Sequence, residues 1–450
     1  MKETLDEIFK AYDIRGKVGS ELNNEVVEKI GRAFGQFLPE AGTVAVGYDM
    51  RPDSRALSEA LIAGLRGEGR TVWDIGQVTS DMIYFAVGKH ELAGGAVVTA
   101  SHNPGEYNGI KLCREQARAV GVESGLLDIK QRVLELDETS TDQLGELEQV
   151  DVMEDWMTHV LSFVDTEKLA ELHIAVDAGN GMAGKTFAEL EPYVPFVVEE
   201  LYFELDGSFP NHIANPLEPK NLVDLQQLMK KQGCQAGVAF DGDGDRAVLL
   251  DEYGEPLSGT VMTALLADYF LDLEPKATIL YNAICGRVVP ELVEKRGGTA
   301  IRTKVGHSYI KGTMRERDAI FAGEHSGHYY FRDNFYADSG LIAAIIVLAI
   351  MSTKKQPLSK LAAPYRQAYA GLTETNYEVA DKPAMIDKVA AEFADGEQDQ
   401  LDGLTVNYPY GWINVRPSNT EPLLRFNAEA KSQKQLDGLV ARAEQVLANA

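Results

Sequence analysis

The chain has 450 residues, 45% of them hydrophobic and 25% charged, and 43 Lys and Arg against 69 Asp and Glu give a formal charge of -26. This length is enough for about three or four domains, and the composition excludes a disordered or fibrous protein. The negative charge argues against a binding surface for nucleic acid or for an anionic membrane.

Three features favour a cytoplasmic protein. The cysteines form no C-x-x-C pair, so neither a disulfide framework nor a zinc ribbon is expected. Met1 to Phe9 lacks the apolar core of a signal peptide. The longest apolar run, Leu341 to Met351, is too short to cross a bilayer and predicts a buried helix capped by Asp338 or Ser339.

Short β-branched runs alternate with longer helical patterns along the chain, which predicts α/β layers with largely parallel sheets. The runs most typical of strands are Thr43 to Gly47, Gly95 to Ala100, His173 to Asp177, Ala236 to Asp241 and Ala277 to Tyr281. Each run is followed by a turn rich in Gly, Asn or Asp. Functional loops collect at the carboxyl ends of such strands.

Breaks in this rhythm predict four domains. They are residues 1–147, 148–252, 253–367 and 368–450. The loops that end in Ser101, Asp245 and His328 fall one in each of the first three domains. This distribution suggests a repeated unit.

The first chemical motif is Thr99-Ala-Ser-His-Asn-Pro104, directly after a strand-like run. A hydroxyl at a strand end with small neighbours, here that of Ser101, can act as a nucleophile or carry a phosphate. The ordinary alternative is a polar turn in which Ser101 caps the next segment. Lys111, a few residues on, is a candidate cation or proton carrier, or else a surface lysine.

The second motif is Asp241-Gly-Asp-Gly-Asp-Arg246, between two apolar runs. Carboxylates at alternate positions with glycines between them can converge on one hard divalent cation. The spacing also matches the start of an EF-hand, with Glu252 at its twelfth position. Arg246 stands where that loop needs Gly, which favours a metal site with open positions over a calcium cage. An acidic turn without metal is the third alternative.

A third motif, Gly179-Asn-Gly-Met-Ala-Gly184, imitates a dinucleotide-binding fingerprint. Glu199 or Glu200 lies near the distance expected for a ribose-binding acid. The same glycines also suit a tight strand-to-helix turn, which is the interpretation we favour.

Two more polar loops lie towards the carboxyl end. In Gly323-Glu-His-Ser-Gly-His328, Glu324 and Ser326 can bind sugar hydroxyls, and His328 is a candidate proton carrier. The loop Arg416-Pro-Ser-Asn-Thr-Glu-Pro422 places a guanidinium, two hydroxyls and an amide between prolines, which suits a phosphate cradle. Its candidate ligands are Arg416, Ser418, Asn419 and Thr420, with added charge from Arg425. The alternatives are polar surface loops.

Together these motifs resemble those of the α-D-phosphohexomutase family, and most closely its bacterial phosphomannomutase/phosphoglucomutase group. The resemblance also includes Phe9-Lys-Ala-Tyr-Asp-Ile-Arg-Gly16 and Gly306-His-Ser308, so it runs from one end of the chain to the other. It implies three related mixed-sheet α/β domains and a smaller C-terminal α+β domain around a central cleft. It implies an enzyme that interconverts hexose 6-phosphate and hexose 1-phosphate through a phosphoserine and a 1,6-bisphosphate sugar.

The resemblance also implies roles for particular residues. Mg²⁺ is expected on Asp241, Asp243 and Asp245 together with an oxygen of phosphorylated Ser101. The residues expected to line the reacting end are Arg15, Lys111, His307 and His328. Tyr12, Arg246, Glu324, Ser326, Arg425 and the cradle loop are expected to bind substrate. The expected partners are small sugar phosphates, with the chain a monomer or a weak homodimer.

Three positions bear on specificity. Enzymes of dual specificity often carry a lysine where this chain has Ile284, so one phosphate contact is open to Arg287 or Lys304 instead. His325 stands where mannose/glucose enzymes commonly have Met and glucosamine mutases Gln. Asn419 favours the mannose/glucose group. The alternative is a phosphoglucosamine mutase; a nucleotide-dependent dehydrogenase is a weaker one.

Overall fold

The computed structural model describes residues 2–39, 42–136, 144–372, 374–418 and 423–448. Within these residues the chain forms four sheets, each with helices packed against it. Three sheets mix parallel and antiparallel strands, whereas the strand pairs of the fourth are antiparallel. The predicted architecture of three α/β domains and a C-terminal α+β domain is confirmed.

The first sheet is built from the amino-terminal part of the chain, and its strand order is β1-β5-β4-β2-β3-β7 with β6 beside β5. The elements are α1 (Lys2–Ile8), β1 (Ile14–Lys17), α2 (Asn24–Phe37), β2 (Val44–Tyr48), α3 (Ser54–Gly67), β3 (Val72–Gln77), α4 (Ser80–Lys89), β4 (Gly94–Val98), β5 (Tyr107–Arg114), β6 (Arg118–Ala119), α5 (Leu126–Glu135) and β7 (Leu147–Gln149). The predicted domain limit at 147 falls inside β7, which pairs with β3.

The second sheet has the order β11-β10-β8-β9. Its elements are α6 (Met153–Leu161), β8 (His173–Asp177), α7 (Ala183–Leu190), β9 (Val197–Leu201), α8 (Val223–Gln232), β10 (Ala236–Phe240) and β11 (Ala247–Leu250).

The third sheet has the order β13-β12-β14-β15. Its elements are α9 (Gly259–Leu273), β12 (Thr278–Asn282), α10 (Val288–Lys295), β13 (Thr299–Thr303), α11 (His307–Arg317), β14 (Phe321–Gly323), β15 (Tyr329–Phe331), α12 (Gly340–Lys354) and α13 (Leu358–Arg366). Helix α12 contains the long apolar run and is buried almost throughout, and the Ser339 hydroxyl caps its start by accepting from the Ile342 backbone N–H.

The three α/β sheets share one topology, which agrees with the suggested repeat. Each contains a set of four strands: β2 to β5, β8 to β11 and β12 to β15. In each set, the first strand lies between the second and the third as parallel neighbours, and the fourth strand is antiparallel to the third. The loop between the third and fourth strands holds Ser101 in the first domain, Asp241 to Arg246 in the second and Glu324 to His328 in the third. Three motifs far apart in sequence are therefore equivalent in structure.

The C-terminal domain has the strand order β16-β21-β20-β19-β18, with β17 also paired to β21. Its elements are β16 (Ala370–Gly371), β17 (Thr375–Glu378), α14 (Lys382–Glu392), β18 (Glu397–Asp399), β19 (Leu404–Tyr408), β20 (Gly411–Pro417), β21 (Leu423–Ala430) and α15 (Gln433–Leu447). One face of β20 and β21 packs apolar side chains into a core with the two helices. The opposite face carries Asn414, Arg416, Arg425, Asn427 and Glu429, since side chains alternate along a strand.

Among the described residues, no single helix has the length and apolarity that a membrane crossing requires. Helices α12 and α13 reach those limits only when they are counted together, and they meet at an angle of 105°.

Candidate active site

The hairpin loops of the first two domains meet at the hydroxyl of Ser101. Its Oγ donates to Asp241 Oδ2 at 2.8 Å and accepts from Arg246 Nη2 at 2.9 Å. The third loop joins them because the backbones of Arg246 and His328 form an isolated β-bridge. A buried hydroxyl thus lies between a carboxylate and a guanidinium that come from another domain.

The backbone of the Ser101 loop is held in an unusual conformation. Ser101 has a φ of 51°, in the left-handed region that non-glycine residues seldom adopt. A Cβ on Gly242 would lie 2.4 Å from the Ser101 carbonyl oxygen, so only glycine allows this approach of the two loops. The loop and its strained serine are therefore fixed against the acidic motif.

Arg51, which the sequence analysis did not select, fastens the same loop. Its guanidinium is buried and donates to the backbone carbonyls of Ser101, Asn103, Pro104 and Tyr107 at 2.6 to 2.9 Å. A buried arginine with this many carbonyl partners is a rigid clamp. The signal in the sequence is an arginine two residues after Asp49, at the end of β2, which pairs with β4.

Asp241, Asp243 and Asp245 are buried, and each offers an oxygen within 4.8 Å of those of the others. Within the described residues, the Oδ1 atoms of Asp243 and Asp245 accept no hydrogen bond although they are buried. Leaving buried carboxylate oxygens unsatisfied is costly. An oxygen-only donor set of this kind fits a hard divalent cation such as Mg²⁺.

The charges of this cluster shift its pKa values in opposite directions. Burial raises the pKa of Asp241 to about 7, and Asp243 and Asp245 add to this while Arg246 opposes it. Burial and Asp245 also raise the pKa of Asp243, but Lys111 and Ser80 outweigh them and lower it. Three carboxylates against two nearby cations leave excess negative charge, which a divalent cation would neutralise.

Lys111 lies inside the site rather than on the surface. Its Nζ is 2.6 Å from Asp243 Oδ2 and 2.6 Å from Asp245 Oδ2. Burial lowers the pKa of Lys111, but the two carboxylates raise it well above its usual range. Lys111 therefore acts as a fixed cation in this arrangement.

His328 stands at the junction of the acidic cluster and the third loop. Its Nε2 is 3.5 Å from Asp245 Oδ1, and its Nδ1 is 3.1 Å from the Ser326 hydroxyl. Burial lowers the pKa of His328, but Asp245 raises it by more. Asp245, His328 and Asp338 form a second group of metal-ligand geometry, but one of its three ligands is an imidazole, whereas Mg²⁺ prefers oxygen ligands. The three aspartates are the better cation site.

Tyr12 and His307 lie together where the first and third domains meet, and Arg15 lies beside the Ser101 loop. The Tyr12 and His307 rings are 5.6 Å apart, and the Tyr12 hydroxyl donates to Val305 O at 2.9 Å. Both ring nitrogens of His307 are buried without a hydrogen-bond partner in the described residues. Burial and nearby lysines hold the pKa of His307 well below its usual value, so the neutral ring is available to a ligand. Arg15 Nη1 donates to Asn103 Oδ1 at 2.6 Å, beside the Ser101 loop.

Glu324 is more constrained than the sequence suggested. Its Oε1 accepts from the Tyr330 hydroxyl at 2.5 Å, and its Oε2 accepts from Asn282 Nδ2 at 3.1 Å and from Gly306 N at 3.3 Å. The carboxylate thus connects the third loop to the start of α11. A sugar hydroxyl would have to share an oxygen that the protein already uses.

The predicted phosphate cradle lies on the polar face of the C-terminal sheet. Arg416 and Arg425 are directly opposite each other on β20 and β21, and both donate to Glu374. The Ser418 backbone N–H donates to Leu423 O at 2.8 Å, which closes the base of the loop. Asn419 and Thr420, also predicted here, lie outside the described residues. Glu374 was not selected from the sequence.

Arg287 and Lys304, the two candidates for the phosphate contact of the missing lysine, have different surroundings. Ile284 is buried, and Arg287 Nη2 donates to Asn407 Oδ1 at 3.2 Å. Lys304 is exposed, with its Nζ 5.4 Å from the centre of the Tyr309 ring. Of the two candidates, Lys304 has the side chain that can move towards a ligand.

The geometry opposes both rival interpretations of the second domain. The glycine turn packs against the acidic motif, because Met182 N donates to Gly242 O at 2.9 Å and a Cβ on Gly181 would lie 2.8 Å from that oxygen. No dinucleotide can approach the backbone of Gly181 there. Glu252 bonds Ser359 rather than the aspartates, and β11 follows the acidic motif directly, so no EF-hand forms.

A buried serine beside an oxygen-ligand cation site, in a chain that also carries a pair of arginines on its C-terminal sheet, has the chemistry of a phosphotransferase. The chain matches models of the alpha/beta/alpha domains I, II and III and the C-terminal domain of phosphoglucomutase/phosphomannomutase, over residues 6–139, 154–254, 258–369 and 374–446. It therefore belongs to the phosphoglucomutase/phosphomannomutase family, whose members are intramolecular phosphotransferases.

Individual relatives agree with this assignment. A phosphomannomutase of Escherichia coli is 37% identical over 450 residues, which cover 98% of each chain. The phosphohexose mutases of Xanthomonas campestris are 39% identical over 434 residues, or 95% of this chain and 96% of theirs. A crystal structure of a family protein from Burkholderia thailandensis has a TM-score of 0.89 at 33% identity, covering 98% of this chain and 97% of that one. These matches do not favour the glucosamine or dehydrogenase alternatives.

Proposed function

We propose that this enzyme interconverts hexose 6-phosphate and hexose 1-phosphate, with mannose or glucose as the sugar, through a phosphorylated Ser101 and a 1,6-bisphosphate intermediate. The observation that carries the proposal is the position of Ser101 Oγ between Asp241 and Arg246, at 2.8 and 2.9 Å. The names of the relatives, phosphomannomutase and phosphohexose mutases, support the substrate class.

In the first half-reaction, the bond between phosphorus and Ser101 Oγ breaks while a free sugar hydroxyl forms a new bond to phosphorus and loses its proton. In the second, the bond between phosphorus and the other phosphorylated sugar oxygen breaks, Ser101 Oγ forms a bond to that phosphorus, and the sugar oxygen takes up a proton. Arg246, which contacts Ser101 Oγ, and Lys111, which contacts Asp243 and Asp245, are the buried cations that stabilise charge on the moving group. Mg²⁺ on the three aspartates would supply further neutralisation of that charge.

The proton of the sugar hydroxyl needs a nearby base. His307 is neutral and both of its ring nitrogens lack partners in the described residues, whereas His328 is held by Asp245 and Ser326. We assign the base to His307 and leave His328 to bind the sugar or phosphate. His307→Gln should therefore lower kcat by about 100-fold or more.

The distal phosphate needs an anchor that serves both orientations of the bisphosphate. Arg416 and Arg425 are paired on the C-terminal sheet and are the cations best placed for it. We include Ser418, Asn419 and Thr420 in this anchor from the sequence. Glu324 and Ser326 complete the site by orienting sugar hydroxyls.

The test is the intact mass of the purified enzyme with and without phosphatase, followed by mapping of the phosphate and coupled assays with mannose 1-phosphate and glucose 1-phosphate. We expect one phosphate on Ser101 and turnover of at least one sugar. Ser101→Ala should abolish turnover and labelling without unfolding, whereas Ser162→Ala, at an exposed serine, should leave both unchanged. Turnover by Ser101→Ala, or a phosphate on another residue, would refute the phosphoserine route.

A further inference from the structure

Two arginines face each other on the polar side of the C-terminal sheet. Arg416 and Arg425 are opposite partners in the antiparallel register of β20 and β21. The side chain of Arg416 is only 4% exposed. Like charges directly opposite on neighbouring strands repel, and burial strengthens the repulsion. The pair therefore needs a local anion.

Glu374, immediately before β17, supplies that anion. Its Oε2 accepts from Arg416 Nη2 and from Asn427 Nδ2, both at 3.0 Å, and its Oε1 accepts from Arg425 Nη1 at 3.0 Å. Burial raises the pKa of Glu374, but Arg416, Asn427 and Arg425 outweigh burial and lower it, so the carboxylate is ionised. One carboxylate thus fixes three side chains from two strands.

We propose that Glu374 is a positioning residue that holds Arg416 and Arg425 side by side as an anion cradle before substrate arrives, a role that rests on the proposed function. One carboxylate against two guanidiniums leaves a net positive charge for a phosphate. Arg416 Nε is buried and has no hydrogen-bond partner among the described residues, so this guanidinium keeps donor capacity. A cradle fixed in advance loses less entropy on binding.

The competing interpretation is that Glu374 occupies the phosphate site and must leave it. Two observations favour the positioning role. The Asn427 amide also binds the carboxylate, so that departure would break a third contact besides the two ion pairs. Glu374 is also joined in sequence to β17, whose residues Thr375 to Glu378 pair with Leu423 to Phe426 of β21. The two interpretations predict opposite effects on phosphate affinity.

The first experiment measures the affinity of inorganic phosphate and of glucose 6-phosphate by calorimetry for the wild type, Glu374→Gln and Glu378→Gln. Glu378, the last residue of β17, is exposed and serves as the matched control. We expect Glu374→Gln to weaken both ligands by at least about tenfold, the effect of one charged contact. Glu378→Gln should bind as the wild type does. Unchanged or tighter binding by Glu374→Gln would overturn the proposal, and tighter binding would indicate a competing anion.

The second experiment separates positioning from folding. Glu374→Gln should raise KM more than it lowers kcat, keep the phosphate on Ser101 and keep the melting temperature within a few degrees of the wild type. Glu374→Asp should recover part of the affinity. In a double-mutant cycle, Glu374→Gln should have a smaller effect in the Arg416→Ala background than in the wild type, because part of its effect passes through that arginine. Full additivity would contradict the proposal.

These experiments distinguish a wrong role for Glu374 from a wrong proposed function. Phosphate affinity is measured without turnover, so weaker binding by Glu374→Gln would support the positioning role even if no hexose phosphate were isomerised. If the wild type isomerises hexose phosphates but Glu374→Gln has normal KM and normal phosphate affinity, only the role of Glu374 is lost.

Discussion

The two carboxylate oxygens of Asp243 differ in their hydrogen bonding. Oδ2 accepts from Lys111 Nζ at 2.6 Å and from the Ser80 hydroxyl at 2.5 Å, whereas Oδ1 accepts nothing from the described residues. The paired oxygen fixes the rotamer and leaves the other directed for a ligand. Such support of a ligand by neighbouring hydrogen bonds is common at metal sites.

Asp243→Asn should therefore lower the affinity for Mg²⁺ by at least about tenfold, because it removes one ligand charge and disturbs the contact with Lys111. Mg²⁺ titrations of turnover, with calorimetry on chelator-treated enzyme, measure the change. Asp387→Asn, at an exposed aspartate of α14, is the control. If chelator-treated wild type keeps full activity, or if Asp243→Asn binds Mg²⁺ normally, the assignment of the metal site is wrong.

A second residue-scale prediction concerns His212, away from the acidic motif. Its Nε2 is 3.0 Å from Asp177 Oδ2. Burial lowers the pKa of His212, but Asp177 and, more weakly, Asp224 raise it above the usual value. A raised pKa in the folded state stabilises the protein at pH values below the unfolded pKa of about 6.5, and this contribution is lost as the pH rises through the folded pKa.

His212→Gln should therefore destabilise the protein by of order 1 kcal/mol at about pH 5.5 and by less at about pH 9. Melting temperatures of wild type and variant at both pH values provide the comparison. In an Asp177→Asn background the pH dependence of the difference should disappear. A difference of equal size at both pH values would show that the ion pair is not the cause.

At the residue scale, the sequence was sufficient for functional residues that lie close together in the chain, but not for those whose partners are distant. The serine, aspartate and glycine motifs could be recognised because each keeps its chemistry within a few residues. Arg51 and Glu374 could not, since their partners are about 50 residues away in sequence. Lys111 was recognised only as a candidate, because its burial depends on the fit of the second domain against the first.

At the scale of elements, the third-to-fourth-strand loop is the repeated functional unit. Each α/β domain places a different motif there: the loop with Ser101, the acidic cluster and the loop with Glu324. The five strand-like runs named from the sequence agree with β2, β4, β8, β10 and β12 to within about two residues, and the sequence suggested the repeat. It could not show that the three loops meet, because that depends on how the sheets pack against one another.

A substitution at Gly242 tests the contact between the Ser101 loop and the acidic motif. Gly242→Ala should push the Ser101 carbonyl away and lower kcat by about 100-fold, since a displacement of about 1 Å is enough for such a loss. Gly438→Ala offers the contrast, because a Cβ there meets nothing within 4 Å inside α15. That variant should keep normal turnover and gain about 0.5 to 1 kcal/mol of stability. Normal turnover by Gly242→Ala would mean that the loops are not in contact during catalysis.

At the scale of the whole molecule, the hydrophobic cores do not follow the four domains. The largest core joins Ile83 of the first domain, Phe187 of the second and Phe321 of the third, among many others. The C-terminal domain has a separate core that includes Phe393 and Phe426. The first three domains therefore stabilise one another through a shared apolar core, whereas the fourth domain is stabilised by its own core.

Differential scanning calorimetry of the full chain should show two unfolding transitions. Phe393→Ala should lower the smaller one, because emptying a buried phenylalanine site costs about 3 to 5 kcal/mol, and leave the larger one in place. Phe187→Ala should have the opposite pattern. A single transition that both variants shift equally would show that the fourth domain unfolds together with the rest.

The boundary between the third and fourth domains contains several polar contacts. Arg302 pairs with Asp399, Asp402 Oδ2 accepts from Val305 N at 2.9 Å, and Glu429 Oε1 accepts from Arg287 N at 2.9 Å. The first of these contacts is a partly exposed ion pair, so salt weakens it. If the bisphosphate must turn round while this boundary stays closed, then the boundary sets the processivity of the enzyme. Raising the ionic strength should increase the bisphosphate released per turnover, and Glu429→Gln should do the same at low salt.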